Sequence, residues 1–462
     1  MLIPFLFDTN SPRRVYLNTL NAGGLKPVFA CFTCMLDIHY IRENKDKVRE
    51  NIAKRQHAPY LELFDLVVSD DVAYRKALQD VEGLRGKRNQ LTQKVAQVKD
   101  NPMEKQALIQ ESRGVGEQIT LNEKIQNELK EKIKQNLMRL PNIMEETVPF
   151  GKDDTQNVEV KKWGEISEKN FDVLTHAQIA KNVDGAEFDR AVKIAGAGFF
   201  ALKGSLVLLD LALQRYALDV LMRDGFVPYA PPFMLNRAAY EGVTDLSDFG
   251  SQLYKIEGED LHLIATSEHP LTAQFMNETL PMQTLPIQLA GMSPCFRKEV
   301  GKHGLDERGF FRVHQFNKIE QIVVCSPEMS SEFHSRMVSN TEKIFQGLGI
   351  PYRIVNVCTG DLGIVAAKKF DIEGWSPREK KYFELASLSN CTTYQAVRLN
   401  IKISSPDGSK RFAHTLNATA VATSRMLRCI LENYQTADGG FDVPAVLQPY
   451  MYGLTHISPS AK

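Results

Sequence analysis

No run of about 18 apolar residues occurs in the 462-residue chain, so hydropathy offers no membrane-spanning helix. No sign of charge prevails either. Acidic and basic residues number 56 each, so there is no global basic field, and any nucleic-acid contact needs a local patch. Cysteine is sparse: seven residues, scattered and odd in number, fit free thiols in a reducing compartment and a cytoplasmic location. Cys31 and Cys34 form one Cys-x-x-Cys pair. No second pair at zinc-ligand spacing follows, which weighs against a metal or redox role. The apolar stretch Met1 to Phe7 has Arg13 and Arg14 after it instead of before it, the wrong order for a secretory signal. What is present is 43% hydrophobic and 24% charged residues, the balance of a soluble globular protein, in a chain long enough for two or three domains.

The stretch richest in chemistry runs from Cys295 to Glu320. Its ends alternate as strands do. Its middle, Gly301 to Gly309, holds three glycines and four charges, so two antiparallel strands joined by a mobile loop are predicted. Arg297 and Glu299 are two apart and share a strand face, with Arg312 and Glu320 on the return. Charges of both signs on one face do not point into an apolar core. They make either a solvated hairpin with cross-strand ion pairs or a site for something both phosphorylated and cationic. Phe-Arg-x-Glu-x-Gly from Phe296, then Arg-Gly-Phe-Phe-Arg-Val-His-Gln-Phe-x-Lys-Ile-Glu-Gln from Arg308, resembles the second signature motif of class II aminoacyl-tRNA synthetases, and more narrowly that of the seryl-tRNA synthetases. The resemblance extends from about Met35 to about Tyr452. It implies an α+β chain: an N-terminal antiparallel coiled-coil arm, then a catalytic domain with a central antiparallel sheet flanked by helices.

Taken in order, residues 1–34 precede the family's usual opening, Met35-Leu-Asp-Ile-x-x-Ile-Arg-Glu-Asn, and are expected to be an upstream extension of low order. Ile38, Ile41, Val48 and Ile52 predict a first short helix. From near Asp70, Ala77, Val81, Leu84, Arg88, Leu91, Val95 and Val98 alternate spacings of four and three, a heptad seam. Asp100-Asn101-Pro102 breaks it. A second helical stretch carries Val115, Ile119, Ile125, Leu129, Ile133, Leu137 and Leu140 up to Pro141. Two such helices make a projecting hairpin. Arg85, Lys87, Arg88, Lys94 and Lys99 on its first arm are either solvated flanks or a face that tracks RNA phosphates. The resemblance favours the second, because in this family the arm grips serine tRNA. Polar Gly151 to Asn157 marks the boundary between a tRNA-binding domain, 35–150, and a catalytic domain, 151–462.

Further on, an amphipathic helix from Leu206 to Arg223 and the segment Gly225 to Pro232 resemble the first class II motif, which implies a homodimer interface. Thr266-Ser267-Glu268 resembles the family's Thr-x-Glu loop; on the residues alone, Ser267 and Glu268 equally suit a helix cap. Gly349 to Asp371 reads as strand, glycine turn, helix, strand. Glu384, in an apolar strand, calls for a partner, either a paired cation or a divalent metal. Phe383, Thr393 and Val397 depart from the commoner family pattern there. His414 to Arg425, leading into Ile430, resembles the third motif, in the Asn-Ala-Thr form of archaeal and eukaryotic cytosolic members.

The resemblance implies ATP-dependent attachment of L-serine to serine tRNA through a seryl-adenylate, with selenocysteine tRNA left open as a second acceptor. Arg297, Glu384 and Arg425 would be catalytic. ATP would meet Arg297, Lys298, Glu299, Arg312, Val313, Phe316, Glu384, Leu385, Ala386, Ser387 and Arg425. Arg297 would hold the α-phosphate and Arg425 the γ-phosphate, with Phe316 stacked on adenine and Glu299 at its edge. Serine would meet Thr266, Ser267, Glu268, Arg297, Glu320 and Thr419, and Mg²⁺ would sit on Glu384 and Ser387. Arg85, Lys87, Arg88 and Lys94 would bind tRNA. A non-catalytic RNA-binding paralogue would be expected to lose Arg297, Glu320, Glu384 or Arg425, and all four are present. A class II synthetase for another amino acid is opposed by the arm and the Thr-Ser-Glu loop.

Overall fold

The computed structural model describes residues 38–299 and 309–461. The expectations for residues 1–34, for Cys31 and Cys34, for the opening at Met35 and for most of the Gly301 to Gly309 loop lie outside the described residues.

The N-terminal part is helical throughout. Where one first helix was expected there are two, α1 (Ile38–Glu43) and α2 (Lys45–Ala53). They bury Ile41, Val48 and Ile52 against Phe64 and Val67 of α3 (Ala58–Gln97), beside Leu140 and Ile143. This head is pinned by Arg42, whose guanidinium forks onto the Asp71 carboxylate at 2.6 and 2.9 Å. The helix α3 therefore begins twelve residues before the seam that betrays it at Asp70, because its first three turns pack on the head and not on a partner helix. It pairs with α4 (Pro102–Leu137). The turn between them is written in Asn101, whose side chain accepts the Glu104 amide, and Pro102 at the first helical position. At 40 and 36 residues the helices reach about 60 and 54 Å at 1.5 Å per residue. The seam buries Ala77, Val81, Leu91, Val115, Ile119 and Ile133. Ile125, expected in it, is 41% exposed, and Arg88 is exposed too, so the heptad is interrupted in the middle of the arm.

The rest of the chain is built on one sheet of eight strands. In chain order these are β1 (Val158–Trp163), β2 (Val227–Tyr229), β3 (Ile287–Phe296), β4 (Gln315–Cys325), β5 (Tyr352–Asn356), β6 (Lys368–Ser376), β7 (Lys381–Thr392) and β8 (His414–Ala422). Their order across the sheet is β1-β5-β6-β7-β8-β4-β3-β2, antiparallel except for the parallel β2–β3 edge. Alternation assigns the faces. Leu416, Ala418 and Ala420 of β8, with Ile319 and Val323 of β4, join the main core beneath three helices: α5 (Ser205–Arg223), α7 (Ser330–Gly347) and α9 (Thr423–Tyr434). The opposite face carries Asn417, Thr419, Phe316, Lys318 and Glu320. It is partly covered by the short helix α6 (Glu268–Ala273), whose Leu271 packs on Leu289 and Ile322. The helix expected between Gly349 and Asp371 does not form. Residues 357–367 are turns and irregular chain, folded against Met144 and Val148 from the segment after α4.

Candidate active site

The polar face of the sheet floors a cavity of about 410 Å³. Thr266, Glu268, Arg297, Glu299, Val313, Phe316, Glu320, Glu384, Leu385, Ala386, Ser387, Thr419 and Arg425 all line it. Three expected residues do not. The Ser267 side chain is fully buried under Gly291, where an added Cβ would lie 2.5 Å from its hydroxyl, and it caps no helix. The Lys298 ammonium lies over the Tyr254 ring at 5.6 Å. Arg312 stands beside Glu299 at 3.8 Å, outside the lining.

The two sides of the cavity differ in charge. On one side the Lys318 ammonium is bonded to Glu320, and both are buried. Thr419 Oγ1 donates to Glu320 at 3.5 Å. Glu268 is steadied by the Gln395 amide at 2.8 Å. Burial, helped by the neighbouring Glu320 charge, pushes the Glu268 carboxyl up to about 7. His269 also lines this side; burial pushes its imidazole down to about 3, so it is neutral. Between the sides stands Arg297, its Nε donating to the Ala265 carbonyl at 3.3 Å and its guanidinium 5.3 Å from the Phe316 ring centre.

On the other side Arg425, from the first turn of α9, meets Glu384 at 3.1 Å. That guanidinium holds the Glu384 carboxyl below its usual range. Glu384 and Ser387 are three apart on β7, yet both face the cavity, which strict alternation forbids. The cause is a bulge. Glu384 opposes Glu373 and Ala386 opposes Ile372, leaving Leu385 as the extra residue. Across from them Lys369 pairs with Asp371 at 3.3 Å. Burial pushes the Asp371 carboxyl up to about 7, and its Oδ1 has no hydrogen-bond partner. Among the described residues no group of three or more His, Cys, Asp or Glu forms a metal cage. Mg²⁺ needs none, since it is commonly held by one or two carboxylates plus substrate phosphates. Glu384, Ser387 and the orphaned Asp371 oxygen fit that donor set.

Phe383 has a clear role. It packs against the buried Arg428 guanidinium at 4.4 Å, with Phe311 on the same cation at 4.5 Å. Arg428 in turn bonds Glu379 and Glu432. The Thr393 and Val397 departures fall at the start and within the short helix α8 (Tyr394–Arg398), whose Gln395 holds Glu268.

Sequence reasoning passed over Lys318, Lys369, Asp371 and Asn417. The signal for Lys318 was there: it alternates with Phe316 and Glu320 on one strand face. Asn417 likewise alternates with Thr419. Lys369 and Asp371 fell in a segment read only as scaffold.

An antiparallel sheet whose polar face sets one arginine at a hairpin strand and another at the start of a following helix defines a class II aminoacyl-tRNA synthetase. Residues 253–434 match the family described as "tRNA synthetase class II core domain (G, H, P, S and T)", and residues 35–144 match "Seryl-tRNA synthetase N-terminal domain". The serine–tRNA ligase of Methanocella arvoryzae is 51% identical, covering 92% of this chain and 100% of that protein. That of Thermococcus sibiricus is 45% identical, with 93% and 98% covered. The crystal structure of seryl-tRNA synthetase from Pyrococcus horikoshii, complexed with ATP, superposes with a TM-score of 0.89 at 42% identity, over 92% of this chain and 100% of that one. The cytoplasmic serine–tRNA ligase of Naegleria fowleri in complex with AMP gives 0.84 at 38%, with 92% and 99% covered. The chain belongs to the seryl-tRNA synthetase family.

Proposed function

We infer that the chain attaches serine to serine tRNA in two steps at this cavity. The observation that carries the reading is Arg297, standing between an acidic, hydroxyl-bearing side and a side with a second arginine. Serine enters at Glu268, Glu320, Thr266 and Thr419. The carboxylates face its ammonium, and Glu320 and Thr419 take its hydroxyl. Lys318 neutralises part of Glu320, so Glu268 supplies much of the remaining negative charge. Polar readout of the hydroxyl rejects alanine, because those groups would be left unpaired.

The serine carboxylate attacks the α-phosphorus of ATP and pyrophosphate leaves. The terminal ribose hydroxyl of tRNA then attacks the seryl carbonyl and AMP leaves. Neither step uses a protein nucleophile; the chain positions the reactants and neutralises developing charge. Arg297 reaches both the serine carboxylate and the α-phosphate, for which a planar, always charged guanidinium is suited. Phe316 offers its face to adenine and Glu299 the adenine edge. Arg425 turns from Glu384 to the γ-phosphate. Mg²⁺, on Glu384 and Ser387 with Asp371 behind them, would offset phosphate charge. Arg312 and Lys298 are rim groups, and Ser267 supports the loop from beneath.

The hairpin supplies the tRNA grip. Arg88 and Lys94 are among its exposed cations. Arg85 and Lys87 are tied to Glu123 and Glu111 of α4 at 2.7 and 2.8 Å. Their first duty is to hold the two helices together. The chain acts as a homodimer. Val207, Leu211 and Met222 on α5, with Val227, Tyr229, Phe233 and Met234 after it, are large apolar side chains left exposed in the single chain, as an interface with a second copy would require. No helix among the described residues is long and apolar enough to cross a membrane, and a cytoplasmic setting suits the five described cysteines, all buried free thiols. The working division is an arm domain to residue 150 and a catalytic domain from 151. Pyrophosphate exchange with serine, against threonine, alanine and cysteine, tests the reading; absence of serine-dependent exchange would sink it.

A further inference from the structure

Two buried polar residues from the N-terminal half hold one wall of the cavity, and neither step of the chemistry uses them. Arg55, just past α2, is 5% exposed. Its Nη1 donates to the carbonyls of Leu362 at 2.6 Å and Gly363 at 3.3 Å; its Nη2 donates to those of Asn142 at 3.0 Å and Ala366 at 3.5 Å. Asn142, in the segment after α4, is 2% exposed. Its amide Nδ2 donates to the carbonyls of Val365 at 2.9 Å and Cys391 at 2.8 Å and to Thr392 Oγ1 at 3.1 Å, while its backbone N–H donates to the Ile364 carbonyl at 2.7 Å. Gly363, Ile364, Val365, Ala366 and Cys391 all line the cavity.

Stability alone does not account for Arg55. Among the described residues it forms no ion pair, and a buried cation without a counter-charge is costly. What a guanidinium supplies is a rigid planar fork of donors. Here the fork gathers three carbonyls of a loop that has no helix or strand of its own. A second mark of constraint lies beside it. Thr392 has φ +45°, a conformation that a β-branched residue adopts only under strain, and the Asn142 amide is one of the bonds that hold it. Cys391, whose carbonyl Asn142 grips, accepts on its sulfur from the Asn417 amide at 3.3 Å, on the side of the cavity assigned to serine.

We propose that Arg55 is a positioning residue for serine activation: with Asn142 it fixes the Gly363–Ala366 wall, so that the domain bearing the tRNA arm also shapes the serine side of the catalytic cavity. The proposal rests on the serine assignment made above.

The test uses the full chain with Arg55→Lys, which keeps the charge and loses the fork, and Arg55→Met, which keeps neither. Arg55→Lys is expected to melt cooperatively as the wild type does and to bind serine tRNA with the same Kd. Its KM for serine in pyrophosphate exchange should rise by about tenfold or more, with the KM for ATP changed by less than about threefold. Arg55→Met should show a larger rise in the same KM. A merely structural role would lower the melting point and the amount of active enzyme while leaving both KM values alone. A folded Arg55→Lys with a serine KM within about twofold of wild type overturns the proposal, as does a change confined to ATP. Should neither variant fold, hydrogen exchange on the wild-type chain decides. Amides of residues 362–367 as slow as those of β6 support the clamp, and exchange at open-loop rates overturns it. A wild-type chain with no serine-dependent exchange would instead sink the serine assignment itself.

Discussion

Cutting the arm away while sparing its base separates the two halves of the reaction. The structure says where to cut. The head cluster of Ile41, Val48, Ile52, Phe64, Val67, Leu140 and Ile143, and the Arg42–Asp71 fork, must stay. A cut at Asp70 would therefore damage the head. Replacing Gln79 to Glu131 removes the seam of Leu91, Val115 and Ile119, which packs only on itself and on the partly buried Leu84 and Leu108. Packed helices lie about 8–10 Å apart, so a linker of four or five glycines, at about 3.3 Å each, closes the gap. Serine-dependent pyrophosphate exchange should stay within about twofold of wild type, since no cavity residue lies in the excised segment. Charging of serine tRNA should largely vanish. Each lost phosphate contact flattens the plot of log affinity against log salt by about 0.7–0.9, so losing Arg88 and Lys94 alone removes about 1.4–1.8 units of slope. Alanine at those two positions in the intact arm should reproduce that part. Alanine at Arg85 and Lys87 should flatten it less, and should instead cost the hairpin two solvent-screened ion pairs, with little change in melting point. Filter binding across a salt series, exchange without tRNA, and charging with labelled serine are the three readouts. An armless chain that charges tRNA normally would refute the grip. An armless chain that loses exchange would refute the independence of the cavity from the arm.

Arg297→Ala should lower exchange by a factor corresponding to about 3 kcal/mol or more while leaving the melting point unchanged; a rate within about threefold of wild type contradicts it. Glu320→Gln should raise the KM for serine more than that for ATP, and it also strands the Lys318 ammonium, so Lys318→Met in the same background should recover part of the lost stability; an ATP defect larger than the serine defect overturns the assignment. Because burial beside Glu320 pushes the Glu268 carboxyl up to about 7, above the ordinary carboxylate value, its charge appears as pH rises through 7, and with it the attraction for the serine ammonium. The serine KM should accordingly fall between pH 6 and 8, and Glu268→Gln should abolish that pH dependence; an unchanged profile in the variant shows that another group titrates.

The resemblance made most of the cavity lining legible, because fixed spacings along two strands and a following helix survive in the order of residues. What it could not show was the chain's departure from regular period. Glu384 and Ser387 converge only through the bulge at Leu385, and a bulge leaves no mark in an apolar strand. The seam of the arm was read correctly as a hairpin, but its first three turns carry the pattern of packing on a head, which looks like no heptad. Ile125 fits the apolar period and still faces solvent. The expected helix before β6 failed for a different reason: Gly360 and Gly363 break the run, and the carbonyls of Leu362, Gly363 and Ala366 are taken by Arg55, some 300 residues earlier in the chain. Long-range satisfaction of a loop's backbone is invisible to any local reading. Lys318 and Asn417, by contrast, could have been found from alternation alone.

The arm is a rod anchored at one end, and a rod converts angle into distance. Beyond the head α3 runs on for about 40 Å, so a tilt of one degree at the base carries the tip about 0.7 Å sideways. A few degrees of play in the head, around the Arg42–Asp71 fork and the packing of Phe64 and Val67, thus sweep the far turn at Asn101 across several ångströms while the carbonyls at the cavity wall hardly stir. The distal cations can follow a yielding nucleic acid without their motion being felt as misalignment where bonds are made. The stiffness of the protein is spent at the hinge end, and tolerance is gathered at the tip. Spin or fluorescence labels near Asn101 and on the sheet should therefore report a broad distance distribution in the free chain that narrows when tRNA is added. A narrow distribution in both states would mean that the head admits no tilt.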